Sequence, residues 1–272
     1  MASFLSSTPV SKVPAREGGF ATRLAWLYAA LFVMAGIQLP FFPVWLKAKG
    51  LEPDMIGLVL AAPIVARVVA LPLVTRSADR YDVLRGAIIL SSVLSVAGYA
   101  LVGMSDGFLI ILLAFALASL TMTPVMPLTE TYALRGLSAR GRAYGPVRLW
   151  GSLAFILGTF VAGFAADLIP PRHLIWLIVA ASAAAAFAAM MLAPLSPLAG
   201  GTTGDKAGTV AAKPLLRDKA FLAVVAAASL IQASHAVFYG FSAVAWRSAG
   251  LDGGTIATLW GLGVIAEIVL FA

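Results

Sequence analysis

Residues 124 to 152 read PVMPLTETYALRGLSARGRAYGPVRLWGS. An apolar run carries Glu130 toward a short basic loop holding Arg135, Arg140 and Arg142. A second apolar run beyond that loop carries Arg148 back. Backbone polar groups in lipid must be satisfied within each segment, so two such runs predict a helical hairpin. Glu130 and Arg148 lie nine residues either side of position 139, and a hairpin turning there holds them at one depth. An ionisable side chain inside an apolar span is expensive and marks a functional site by default. The alternative is that each lies about 10 Å in from the loop, at ~1.5 Å per residue, and extends its stem to the interface.

Working outward, 61% of the residues are hydrophobic and 11% are charged, against roughly 25% charged in an average soluble domain. Such a chain predicts a polytopic, all-α integral membrane protein. There is no Cys, and the two histidines are His173 and His235. Neither thiolate chemistry nor a metal site of the usual kind is expected, and no cofactor is either. The net charge of +7 raises nucleic acid as a partner, and its distribution argues against one.

Apolar spans recur at 24–46, 55–75, 84–104, 108–134, 147–168, 173–195, 220–246 and 255–272. Each reaches the ~20 residues needed to cross a bilayer. With the amino terminus inside, thirteen Lys and Arg fall in inner segments. Four fall outside, namely Lys47, Lys49, Arg172 and Arg247. That bias predicts a cytoplasmic tail at 1–23 and residence in the cell inner (plasma) membrane. The polar start lacks the short apolar core and cleavage site of a signal peptide.

The long connection at 196–219, with GGTTGDKAG at its centre, reads as a flexible cytoplasmic linker. It divides the chain into a six-helix bundle at 24–195 and two further helices at 220–272. The last span stops at its apolar limit, which predicts a fragment of a longer chain.

An internal repeat supports this division. Shifted by 200, GLEPDMIGLVLAAPIVARVV (50–69) lies over GLDGGTIATLWGLGVIAEIV (250–269). Gly50 and Gly250, Leu51 and Leu251, Ile56 and Ile256, Ala66 and Ala266, and Val69 and Val269 are identical. Glu52 matches Asp252, and Arg67 falls opposite Glu267. Parallel repeats of this kind build many secondary transporters, with the site at the repeat interface near the midplane.

The chain resembles the major facilitator superfamily. TRSADRYDVLR (75–85) is similar to that superfamily's Gly-x-x-x-Asp-Arg-x-Gly-Arg loop. Asp79 and Arg80 match, while Thr75, Asp82 and Val83 depart from it. The match assigns Asp79 and Arg80 a gating role. YGPVRLWGS, QASHAVFYGF and LWGLGVIAEIVLF resemble the phenylpropionate-permease type, which is related to oligosaccharide and nucleoside proton symporters. That resemblance implies about twelve helices and substrate binding by Glu130 and Arg148. It also implies proton coupling by Glu267.

Arg67 lies near the middle of the second span. Charge at the bilayer centre costs about 2.5–3.5 kcal/mol on insertion scales, so this side chain is expected to face a wet cavity or a carboxylate. A static ion pair is the other reading. Glu267 shares the central placement and is the expected proton carrier, with Arg67 its partner in one conformation. His235 either joins a proton relay or packs as a hydrogen-bonded residue near Tyr239. Gln38 joins the substrate set, because Pro40 and Pro43 interrupt the hydrogen bonding of its helix. A kink without ligand contact is the alternative there. Ala154, Gly158, Ala162 and Ala166 recur every four residues and read as a close-packing stripe.

Three function classes remain. The first is a secondary carrier working by alternating access, with proton symport of a small organic solute such as an aromatic carboxylate, or of a sugar or nucleoside. The second is a membrane enzyme, against which stand the missing Gly-x-Ser-x-Gly elbow and nucleotide loop. The third is a membrane scaffold that transports nothing. The lipid bilayer, a small organic solute and a proton are the expected partners, and the oligomeric state is left open.

Overall fold

The computed structural model describes residues 18–80, 83–195 and 218–271. Among these residues the chain is helical and has no strand. The order is α1 (Gly18–Ala48), α2 (Pro53–Arg80), α3 (Leu84–Met104), α4 (Phe108–Met122), α5 (Val125–Ser138) and α6 (Gly145–Leu168). A 3-10 turn (Pro171–His173) leads to α7 (Ile175–Met190), and α8 (Lys219–Ser248) and α9 (Gly253–Phe271) follow. Seven stretches among the described residues are long and apolar enough to cross a membrane, with 108–138 counted as one. The first part of α2 adds a shorter apolar helix, Pro53–Val65. Among the described residues the protein is an all-α membrane fold, with α1–α7 before residue 196 and α8 and α9 after residue 217.

Three boundaries differ from the sequence reading. The fourth span is two helices, because Pro124 and Pro127 lack the N–H groups that Leu120 and Thr123 carbonyls would need. The second helix continues to Arg80, so Asp79 and Arg80 lie in its last turn and not in a loop. Their side chains, residues 196–217 of the expected linker at 196–219 and residues 1–17 of the expected tail at 1–23 are outside the described residues. The fifth span begins at Gly145 with a proline in its first turn, where the missing N–H is harmless.

The repeat has a structural counterpart. At the end of α1, Leu51 N donates to Leu46 O (3.2 Å) and Gly50 N to Lys47 O (3.0 Å). At the end of α8, Leu251 N donates to Trp246 O (3.0 Å) and Gly250 N to Arg247 O (3.1 Å). Both are the same helix-ending motif, and its left-handed residue is glycine each time (φ 85° and 90°), as the absence of a Cβ favours. Two hundred residues apart, the chain turns twice in one way.

Between spans the apolar tails of lipid remove much of the hydrophobic drive, so association rests on close packing. The small-residue stripe performs this on α6. Ala154, Ala162 and Ala166 are buried, and α6 packs mainly on α1. A Cβ on Gly158 would collide with the Val33 backbone, and one on Gly36 would collide with that of Phe155. Thr159 Oγ1 donates to Gly36 O at 3.1 Å across the same crossing. On the outward faces Leu90, Leu101, Leu109, Leu113 and Leu157 are exposed, as a lipid-facing surface requires.

Candidate functional site

A cavity of about 780 Å³ lies between α1 and α6 on one side and α8 and α9 on the other. Its apolar walls come from Phe32, Phe155, Phe238, Tyr239 and Trp260, and its polar groups include Arg148, Gln232, His235 and Glu267. The Trp260 ring is the hub of the aromatic wall. Its centroid lies 5.1 Å from that of Phe238, 5.4 Å from that of Tyr239 and 6.4 Å from that of Phe155. Such rings offer rigid apolar area at low conformational entropy, and a few convergent polar groups set orientation. Trp260 Nε1 is buried and has no hydrogen-bond partner.

Three of the expected site residues meet here. Arg148 stands one turn into α6, with its guanidinium carbon 4.1 Å from the centre of the Phe32 ring. His235 has Nδ1 2.8 Å from the Ile231 carbonyl oxygen. A carbonyl only accepts, so Nδ1 carries the proton and Nε2 is left as the acceptor in the neutral ring. The His235 ring lies 5.5 Å from that of Tyr239, and Tyr239 also lies within the field of Glu267. Arg148, His235 and Glu267 therefore share one chamber, although 119 positions separate the first from the last.

Of the others, Glu130, Arg67 and Gln38 stand elsewhere. Glu130 is exposed on α5 and does not line the cavity. The expected equal depth of Glu130 and Arg148 is corrected, because the connection occupies 139–144 and is not centred on 139. Gly141, at φ +62°, shapes that turn. Arg148 is three residues from the start of α6, whereas Glu130 is eight from the end of α5. The two charges still act on one side chain, since Tyr28 lies within the fields of both. Its hydroxyl is 3.4 Å from that of Tyr144. Arg67 is exposed on α2 and is not among the cavity residues, so it does not join Glu267 in this conformation. Gln38 is half-buried and accepts from the Tyr99 hydroxyl at 3.0 Å.

Outside the cavity lining, α6 is tied to α8 and α9 by residues that sequence reasoning missed. Asp167, at the end of α6, takes Arg247 of α8 in an ion pair. Its two oxygens also accept from Gly253 N at 2.9 and 2.8 Å, and one accepts from Gly254 N at 3.3 Å. The carboxylate thus caps the positive end of α9, where anions are stabilised. Arg247 Nη2 also donates to Ala166 O at 2.7 Å, and Lys47 Nζ donates to Ser248 Oγ at 2.8 Å. Gly163 and Gly253 bring α6 and α9 into backbone contact, since a Cβ on either would collide with the other's carbonyl. Asp167 directly follows the last residue of the small-residue stripe, and that adjacency was the available signal. Beside it, Asp252 opens α9 and accepts from Thr255 N and Thr255 Oγ1, both at 2.8 Å. These bonds hold its carboxyl below the ordinary value of 3.8.

Comparisons with known proteins match the fold. Residues 21–272 match the family described as MFS_1 like. A probable 3-phenylpropionic acid transporter of Escherichia coli strain K12 is 34% identical over 92% of this chain and 65% of its own length. The maltose permease of Geobacillus stearothermophilus is 30% identical over 52% of this chain and 36% of its own. A crystal structure of the nucleoside transporter NupG superposes with a TM-score of 0.79 at 16% identity. That match covers 93% of this chain and 66% of that one. The chain therefore spans just under two thirds of the length of the first of these relatives. With its small-residue crossings, its repeated helix ends and its central chamber, the chain belongs to the MFS_1 like family of the major facilitator superfamily, a family of non-enzymatic transport proteins.

Proposed function

We propose that the protein is a secondary carrier that moves a small aromatic carboxylate together with a proton by alternating access. The observation that carries this reading is the chamber itself. It pairs an aromatic wall with one guanidinium, and a carboxyl and an imidazole line the same space. Arg presents a rigid fork of donors suited to a carboxylate, and clustered aromatic rings suit a phenyl group. Glu267, with His235 beside the shared Tyr239, is the proton-exchanging group. Glu130 and Arg67, outside the chamber here, are partners for a second conformation, as is the Asp79–Arg80 gate. The basic residues put the loop at 139–144 on the cytoplasmic side, with the amino terminus. The Asp167 cluster then faces outward and the chamber inward. The linker at 196–219 joins the six-helix bundle to the following pair. The plasma membrane is the site of action.

A sugar or nucleoside is the second reading, favoured by Gln232 and Ser234 among the polar lining. Proteoliposomes given an inward proton gradient separate the two. Uptake of labelled 3-phenylpropionate that collapses with the gradient supports the first. Uptake of maltose or a nucleoside, with none of 3-phenylpropionate, supports the second. No gradient-dependent uptake of any of them refutes both.

A further inference from the structure

Arg148 is the cation of the chamber, yet no carboxylate holds it. Among the described residues the ion pairs are Lys49–Asp106 and Arg247–Asp167, and Glu267 lines the same chamber without reaching Arg148. Arg148 also sits in the first turn of α6, where the helix dipole opposes a positive charge. A guanidinium so placed needs another source of stabilisation, and it lies over the Phe32 ring with its carbon 4.1 Å from the ring centre. Space for this arrangement comes from Gly151. A Cβ there would stand 2.9 Å from Phe32 Cδ2 and 3.0 Å from Arg148 Nη1, closer than side chains normally approach.

We propose that Phe32 and Gly151 are positioning residues that seat Arg148 on the α1 wall and keep it out of a direct ion pair with Glu267. The inference rests on the carrier reading given above. Its chemistry follows from the two surfaces of a guanidinium. The ring engages the planar face, whereas a carboxylate engages the N–H edge. Phe32 can therefore hold the cation while its fork stays open to an anionic substrate. An Arg148–Glu267 pair would occupy that fork and tie up the proton-exchanging carboxyl as well. The seat accordingly selects for substrates that bring their own negative charge.

The first test needs no substrate. Thermal unfolding of the full protein in detergent is measured for wild type, Phe32→Leu, Arg148→Gln and the double variant. The loss of Tm caused by Phe32→Leu is expected to shrink by about 2–4 °C when Arg148 is already Gln. Phe32→Tyr, which keeps the ring, is expected to show the wild-type coupling. Additive losses overturn the seat. The second test is uptake of 3-phenylpropionate. Phe32→Leu and Gly151→Ala are expected to raise KM roughly 5- to 30-fold with kcat within about twofold, and Phe32→Tyr to restore KM. An unchanged KM in Phe32→Leu also overturns the seat. Failure of the wild type to take up 3-phenylpropionate refutes the substrate assignment instead, and the unfolding cycle then decides the seat alone.

Discussion

Replacing Asp167 by Asn tests whether the cluster of Asp167, Arg247 and Gly253 acts as a gate. The carboxylate accepts from Arg247, from Gly253 N through both oxygens and from Gly254 N. Asn keeps one acceptor oxygen and the shape but removes the charge. Hydrogen bonds to charged groups contribute about 1.5–3 kcal/mol each. Asp167 and Arg247 are about one-third exposed (33% and 30%), so screening reduces the ion-pair share toward the surface range of ~0–1 kcal/mol. The loss of charge at the α9 cap adds about 0.3–1 kcal/mol. A combined loss of about 2 kcal/mol changes the closed-to-open ratio roughly 30-fold. The protein has no cysteine, so Ser152→Cys in the chamber wall supplies a single reporter thiol. Its reaction with a membrane-impermeant maleimide is followed from the side that carries Asp167. Asp167→Asn is expected to raise this rate by at least tenfold while labelling from the opposite side falls. Equal rates with and without the substitution refute the gate.

Further outcomes follow from the same packing. Gly163→Val, which forces a side chain into the Gly253 backbone, is expected to raise thiol labelling from the Asp167 side even with Asp167 intact. Gly158→Val at the α1–α6 crossing is expected to lower Tm without that directional change. Trp260→Phe keeps an aromatic ring among Phe155, Phe238 and Tyr239 and removes a buried, unpartnered donor. Its Tm is expected to match or exceed that of wild type, because removing an unsatisfied buried group is neutral or favourable. Asp252 has a folded pKa below 3.8, so its stabilisation is present above the unfolded value and is lost as pH falls through the folded one. The Tm gap between wild type and Asp252→Ala is thus expected to be full at pH 6 and to close below pH 4.

The helical, membrane-spanning character of the chain was legible because lipid imposes length and polarity on each segment separately. Breaks inside a span were harder to read. The interruption before Val125 follows from Pro124 and Pro127, but only once the unpaired carbonyls are counted. The equal depth of Glu130 and Arg148 failed because it assumed a centred loop. Gly141 and the proline in the first turn of α6 shift the connection toward α6. The chamber itself joins residues from α1, α6, α8 and α9, and nothing local to Arg148 or Glu267 announces the other. The repeat came nearest, since it placed two equivalent turns at Gly50 and Gly250. It paired Glu267 with Arg67, however, whereas folding places Glu267 in the chamber with Arg148. Asp167 was passed over because an acid at a span end looks like an ordinary interfacial residue until α9 is seen to begin on it.

The most direct test of the carrier reading separates accumulation from exchange in Glu267→Gln. Proteoliposomes are loaded with 3-phenylpropionate, and labelled substrate is followed with and without an inward proton gradient. Wild type is expected to accumulate label only with the gradient. Glu267→Gln is expected to lose that accumulation yet still exchange internal for external label, because binding at Arg148 and the aromatic wall is intact. Full gradient-driven accumulation by Glu267→Gln would contradict the account.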